Sequence, residues 1–434
     1  MWLIFMTVLW LGCLAYVTSG FYPRHVFFGA SLQKGNDLTK SCFVCEDTQE
    51  NFSFRLPENV VTRCTNFHST RPPISDWNFT YAYDTLPIDG TGATIATASS
   101  SNNTSKTTGI VLIHPIGVGI ARWYYHRILR AFGHRNYTCQ QNLFLVIPDL
   151  LASGTATSPA FLNNTSPSAS KQPKHLPLLN ISDWTDQVLD LMVQHDDDVD
   201  GWCVVANGGC SPIALQVAAR RNREYDHTSP VRNVILSSTP RLPFFLEASD
   251  PVKVQNAYKR LTGIVGRVFW RFARRKRFLQ KFSEKNLVAD PANLGPDWTT
   301  NCYEIAKRDG GASRYSTFAF LAGTLQDGCI ASLEILRGRN NNNNNNTATS
   351  STTVQIDIIK GRDIRRNQPK SWFWQRRRLG NQQRQQRQQH PTLRDYIQQN
   401  GNIGREIVVG GRVSLAHEDA YGYRDALLSI LESS

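Results

Sequence analysis

Residues 204–218 read VVANGGCSPIALQVA: an apolar run ending at Ala206, a polar Asn207, two glycines, and a helix-forming stretch. The run suits a buried strand, residues 213–221 suit a helix, and Asn-Gly-Gly marks a sharp turn between them. Gly208 and Gly209 ease such a turn because glycine adopts backbone conformations that other residues resist. The same rhythm runs through the chain. Apolar runs at 109–114 (GIVLIH), 143–148 (LFLVIP), 202–206 (WCVVA), 234–238 (VILSS), 354–359 (VQIDII) and 406–409 (EIVV) alternate with helical candidates at 121–132, 184–195, 213–221 and 421–431. This pattern predicts an α/β fold with a mostly parallel central sheet flanked by helices. Residues 76–97 suit an antiparallel strand pair opening the sheet. From 239 to 328 no buried-strand run occurs, and the helical character there reads as a lid inserted after the sixth strand. No internal repeat is visible, which excludes solenoids.

With 434 residues, the chain is long enough for one large α/β domain and an appendage. A 41% hydrophobic content is globular, while a mean hydropathy of -0.36 reflects polar inserts. We therefore expect an α/β core at 76–240, a helical lid at 241–328, and the rest of the core at 329–434, with disordered inserts near 340–352 and 367–391. The net charge of +13 is concentrated at 267–281 and 360–387. It favours acidic partners where it lies on one face.

Residues 1–20 have the apolar core and small-residue end of a signal peptide. The stretch 21–70 then reads as a basic, acid-poor transit-like extension. Thr18-Ser19-Gly20-Phe21-Tyr22-Pro23 resembles the junction of bipartite plastid presequences in algae with secondary plastids, and so implies a plastid address. Secretion or the endomembrane lumen is the alternative, since Asn51, Asn78, Asn136 and Asn180 each begin a glycosylation sequon. Nine cysteines make no disulfide framework in a chain of this size. Cys42 and Cys45, with Cys64, read as thiols of a polar extension, as a redox pair, or as three zinc ligands short of a fourth.

Four phrases resemble the α/β-hydrolase fold superfamily over residues 76–434. IVLIHPIGVG (110–119) is similar to the strand and loop that supply an oxyanion amide, and PDLLASG (148–154) is similar to the loop after the next strand. Residues 204–218 are similar to the nucleophile elbow, and 234–240 to the strand leading into the lid. Within the superfamily the chain resembles a set of cyanobacterial and plastid proteins with an HPIGVG loop and a basic, aromatic lid, similar to FWRFARR (269–275) and RYSTFAFLAG (314–323) here. That set also lacks the elbow serine. In register, Gly-x-Ser-x-Gly becomes Ala206-Asn207-Gly208-Gly209-Cys210, so Gly208 stands at the vacated nucleophile position. Cys210 and Ser211 are displaced-nucleophile candidates, with ordinary packing behind the turn as the alternative. The resemblance implies Asp363 as the acid, with a surface salt-bridged aspartate as the alternative. Arg412 stands where the histidine is expected, and His417 follows about one and a half helical turns late, as a base or a surface residue.

The resemblance implies a pocket at the strand ends faced by His114, Gly117, Gly119, Asn207, Gly209, Asp363, Arg412 and His417. Losing nucleophile or base removes most of a triad's benefit. The leading expectation is a protein that binds a small apolar ligand or a partner without cleaving it. An enzyme of the fold with a non-serine mechanism, using His114 or His417 as base, is the second reading. A membrane-peripheral scaffold is the third, with Arg274, Arg275 and Arg277 on an anionic surface. An amphipathic helix that packs its aromatics on the core explains the same stretch. No reader motif accompanies the charge, so nucleic acid is not expected. Nor is a metal or cofactor.

Overall fold

The computed structural model describes residues 56–69, 78–89, 106–134, 139, 141–156, 178–224, 229–240, 245, 249–308, 311–326, 329–336, 354–362, 393–399 and 403–433. The signal and transit-like reading of residues 1–55, Cys42, Cys45, Asp363 and the inserts at 340–352 and 367–391 lie outside them.

Eight strands form one sheet: β1 (Val61–His68), β2 (Asn78–Ile88), β3 (Thr107–Ile113), β4 (Asn142–Pro148), β5 (Gly201–Asn207), β6 (Val231–Ser237), β7 (Gln355–Gly361) and β8 (Ile403–Val409). Their order is β1-β2-β4-β3-β5-β6-β7-β8. β1 and β2 pair antiparallel, as do β2 and β4; from β4 through β8 every pairing is parallel. Strands covered on both faces leave continuous apolar runs, and all seven residues of β5 are buried.

The sheet begins earlier than the sequence suggested. β1 lies inside the stretch 21–70 read as an extension, and of the strand pair expected at 76–97 the described residues 78–89 hold one strand, which pairs outward with β1 and inward with β4. At the sheet edge, β1 exposes most of its polar VTRCTNFH face.

Among the described residues the α-helices are α1 (His126–Gly133), α2 (Ile181–Val193), α3 (Ser211–Glu224), α4 (Pro251–Thr262), α5 (Ile264–Ala273), α6 (Lys276–Asn286), α7 (Gly295–Lys307), α8 (Arg314–Ala322), α9 (Cys329–Leu336), α10 (Leu393–Gln399), α11 (Leu415–Glu418) and α12 (Ala420–Leu431). Local chemistry sets several of their ends. Asn180 and Asp183 form a reciprocal capping box on α2, and Asp250 caps α4 ahead of Pro251. Helices α4 to α9 all fall between β6 and β7, running past the expected end at 328 to Leu336.

Two apolar cores lie on the two faces of the sheet. One gathers Trp184, Val204, Ile213 and Leu236 with Trp270 and Phe318 of the insertion, and the other gathers Ile110, Tyr124, Val205, Trp298 and Leu427. A buried ion cluster ties β2, β4 and the start of α1 together. Arg122 reaches Asp84 at 3.1 Å and Asp149 at 2.6 Å, and His126 adds Nε2 to Asp84 at 3.0 Å. Burial pushes both carboxyls up, but Arg122 together with the neighbouring histidines and hydrogen bonds outweighs it and holds them below the ordinary carboxylate range. Asp149 also accepts from the Thr155 amide and hydroxyl, which folds the PDLLASG loop back on its own strand.

Candidate functional site

The sheet's strand order reverses at β3, which lies between β4 and β5, the kind of switch point at which open α/β sheets bind their ligands. Ile113 pairs with Ala206 at that point, so the loop after β3 and the turn after β5 meet there.

The turn keeps a left-handed shape. Gly208 has φ +58°, in the left-handed region, and leads through a short 3-10 turn at Gly208–Cys210 into α3. Among the described residues a Cβ placed on Gly208 would meet only the Ser238 carbonyl oxygen, at 3.9 Å, so the tip faces open space there. Gly209 is different: a Cβ there would lie 2.5 Å from the Phe320 ring of α8. The insertion therefore presses an aromatic ring onto the turn.

Neither displaced-nucleophile candidate is free at the tip. The Ser211 hydroxyl is buried and donates to the Gly208 carbonyl at 2.7 Å, stitching the first helical turn. Cys210 is also buried, and burial pushes its thiol up to about 12 despite a backbone hydrogen bond from Ile116. A thiol in that state supplies almost no thiolate near neutral pH.

Both histidines are buried. The Leu150 amide donates to His114 Nε2 at 3.1 Å, which places the ring proton on Nδ1, facing the Pro115 carbonyl at 3.0 Å. Burial lowers the His114 pKa against the pull of Asp149, so the ring is neutral with its one accepting nitrogen occupied. His417 donates from Nε2 to the Leu294 carbonyl at 2.7 Å and packs edge-on against Trp298 and Trp123. Burial, with the Arg127 guanidinium beside it, lowers its pKa to about 3. Its Nδ1 is buried without a hydrogen-bond partner.

Arg412 is exposed and turns toward the insertion, donating from Nη1 to the Lys285 carbonyl at 2.8 Å in the last turn of α6. What the loop after β8 brings to the turn is a main-chain group. The Val413 carbonyl accepts from Ser238 Oγ at 2.7 Å and from Asn207 Nδ2 at 3.4 Å. Asn207 also donates to Ser237 Oγ, which takes a second bond from the Tyr423 hydroxyl at 2.9 Å.

The loop at Gly117 and Gly119 is clamped by the insertion. Thr317 donates to the Gly117 carbonyl at 3.2 Å, and Gly119, at φ +73°, lies so close to Cys302 that a Cβ would sit 1.8 Å from its carbonyl oxygen. Among the described residues no group of three His, Cys, Asp or Glu side chains is placed to hold a metal ion. The arrangement thus supplies an open, left-handed turn, an aromatic wall and neutral, inward-committed histidines. Sequence reasoning missed Ser238, Phe320 and Val413 as neighbours of the turn. Phe320 lay within a motif noted for its likeness, while a main-chain carbonyl leaves no trace in side-chain identity.

No family model and no curated protein sequence matches the chain. Solved structures do. A protein from Nostoc sp PCC 7120 assigned to the α/β hydrolases is 10% identical with a TM-score of 0.50, covering 86% of this chain and 99% of its own. One from Pseudomonas aeruginosa assigned as an epoxide hydrolase is 12% identical with a TM-score of 0.50, covering 88% and 98%. At such identities the likeness speaks to architecture alone, and with the strand order and the left-handed turn after β5 it establishes that this chain has the α/β-hydrolase fold.

Proposed function

We propose that this chain performs no covalent hydrolytic chemistry and acts by binding a small apolar molecule over the turn after β5, beneath the helical insertion. One observation carries the reading: Gly208 keeps the backbone of a nucleophile elbow, φ +58° with open space at the tip, and offers no attacking atom. The occupied ring nitrogens of His114, and the burial that holds His417 neutral with Nε2 on Leu294, weigh against the second reading, a non-serine enzyme that uses either as base. The HPIGVG phrase at 114–119 supports grouping the chain with the cyanobacterial and plastid set. The junction at Phe21 supports a secondary-plastid address, to be tested by fusing residues 1–70 to a fluorescent protein.

The functional test has two arms. A broad ester panel and a fluorophosphonate reagent should give no turnover and no label, and a label mapped to Cys210 or Ser211 overturns the reading. Titration with a fluorescent fatty acid should show saturable binding, weakened at least about tenfold by Gly208→Met, which extends a side chain into the open space. Circular dichroism confirms that the variant folds. Absent or non-saturable binding by the wild type overturns the apolar-ligand assignment.

A further inference from the structure

The outer surface of the insertion carries an arrangement that the turn after β5 does not explain. Between residues 251 and 286, spanning α4 to α6, eleven Lys and Arg residues stand against a single Glu. The inward stripe of α5 is Gly266, Trp270 and Ala273, all buried, with Trp270 Nε1 donating to the Ala306 carbonyl at 3.2 Å. At 100° per residue the opposite face carries Ile264, Val268 and Phe272, spaced by four. Ile264 is 80% exposed, and Val265 and Val268 are exposed beside it. A helix whose outer face met only water would place polar residues there.

Exposed aromatic surface continues this stripe. The chain breaks helix at Arg274 and Arg275, and across the break Phe272 packs on Phe278 with ring centroids 4.9 Å apart, while Phe278 stacks on the exposed Phe282 at 5.9 Å. Of the large apolar side chains exposed among the described residues, half lie here: Val252, Ile264, Val265, Val268 and Phe282. Arg267, Arg271, Arg275, Lys276, Arg277 and Lys281 are exposed around them.

We propose that α5 and α6 form a peripheral docking surface for an anionic lipid bilayer, with Ile264, Val268 and Phe282 entering the headgroup boundary and the flanking cations meeting lipid phosphates. Interfacial binding needs both ingredients, apolar area to bury and attraction to anionic headgroups, and this face supplies both. Nucleic acid would use the cations and leave Ile264 and Val268 unexplained. A second copy of the chain would bring like charge against like charge.

Flotation of the full chain with phosphatidylcholine vesicles holding about one third phosphatidylglycerol, against pure phosphatidylcholine, tests this directly. The wild type should float with the anionic vesicles only, and raised salt should release it. Neutralising Arg271, Arg275 and Arg277 to Gln should weaken binding roughly a hundredfold. Ile264→Asp with Val268→Asp should weaken it at least about tenfold; both sites are exposed, so the fold should persist by circular dichroism. No flotation by the wild type overturns the proposal. Flotation that survives the aspartates also overturns it and points to a polyanion bound by charge alone. A dimer in sedimentation that the aspartates dissolve would give the face to a second copy instead.

Discussion

Gly208→Ser restores a hydroxyl to the tip of the turn without restoring its chemistry. The structural cost follows from two quantities. Among the described residues a Cβ at 208 finds its nearest neighbour at 3.9 Å, so crowding by them contributes nothing, and the penalty is that of an L-residue held at φ +58°. That penalty is about 1–2 kcal/mol. Gly119→Ala is the contrasting control: similar backbone strain at φ +73° is joined by a Cβ 1.8 Å from the Cys302 oxygen, for a loss of roughly 3–5 kcal/mol. Urea denaturation of the two variants beside the wild type reads both numbers. The chemical prediction is sharper. A serine at 208 needs a base, and among the described residues the loop after β8 offers the Val413 carbonyl, while His114 and His417 are turned to Leu150 and Leu294. A serine without its base gains little, because triad members act as a unit. Gly208→Ser should therefore stay unlabelled by a fluorophosphonate at neutral pH. Rapid labelling would show that a base does face the tip and would refute the placement of the histidines; a destabilisation matching that of Gly119→Ala would refute the open tip.

Two further outcomes follow from buried charge and buried histidine. Arg122→Met should cost roughly 3–5 kcal/mol in urea denaturation, because it strands the fully buried carboxylates of Asp84 and Asp149, and the loss should shrink in acid as those groups take up protons. His417 is held neutral with a pKa lowered to about 3 against an ordinary value of 6.5, so the unfolded chain binds the proton first and stability falls as pH drops below about 6.5. From pH 7 to pH 5 this one ring should remove about 2 kcal/mol, and denaturation at the two pH values should show a smaller difference in His417→Gln. An undiminished slope in the variant would place the acid sensitivity elsewhere.

What the sequence disclosed, and what it hid, divides along physical lines. Strands β3 to β6 were legible because a parallel strand covered on both faces is largely apolar, and WCVVA and LFLVIP admit few other readings. β1 was hidden because VTRCTNFH sits at the sheet edge with most of its side chains in water, so burial imposed no pattern on it. The break between α5 and α6 was hidden as well, since Arg and Lys are good helix formers and RFARRKRF signals no stop. The turn itself was readable from Asn-Gly-Gly, but its surroundings were not. Its neighbours arrive from β6, α8 and the loop after β8, and one of them is the Val413 carbonyl. His417 makes the same point from the other side. Its place in the sequence, shortly after the last strand, suits a base, whereas its role is fixed by Leu294, Trp298 and Trp123, none near it in the chain. A glycine holds φ +58° at little cost, so the turn's shape persists whether or not a nucleophile occupies it. The shape after β5 therefore reports architecture, and chemistry must be read from what the side chains around it are already bonded to. Here the Ser211 hydroxyl is bonded to Gly208, burial holds the Cys210 thiol and the His417 ring neutral, and His114 has its accepting nitrogen on Leu150, which leaves the Phe320 ring and the space beside Gly208 as the features on which the proposed binding rests.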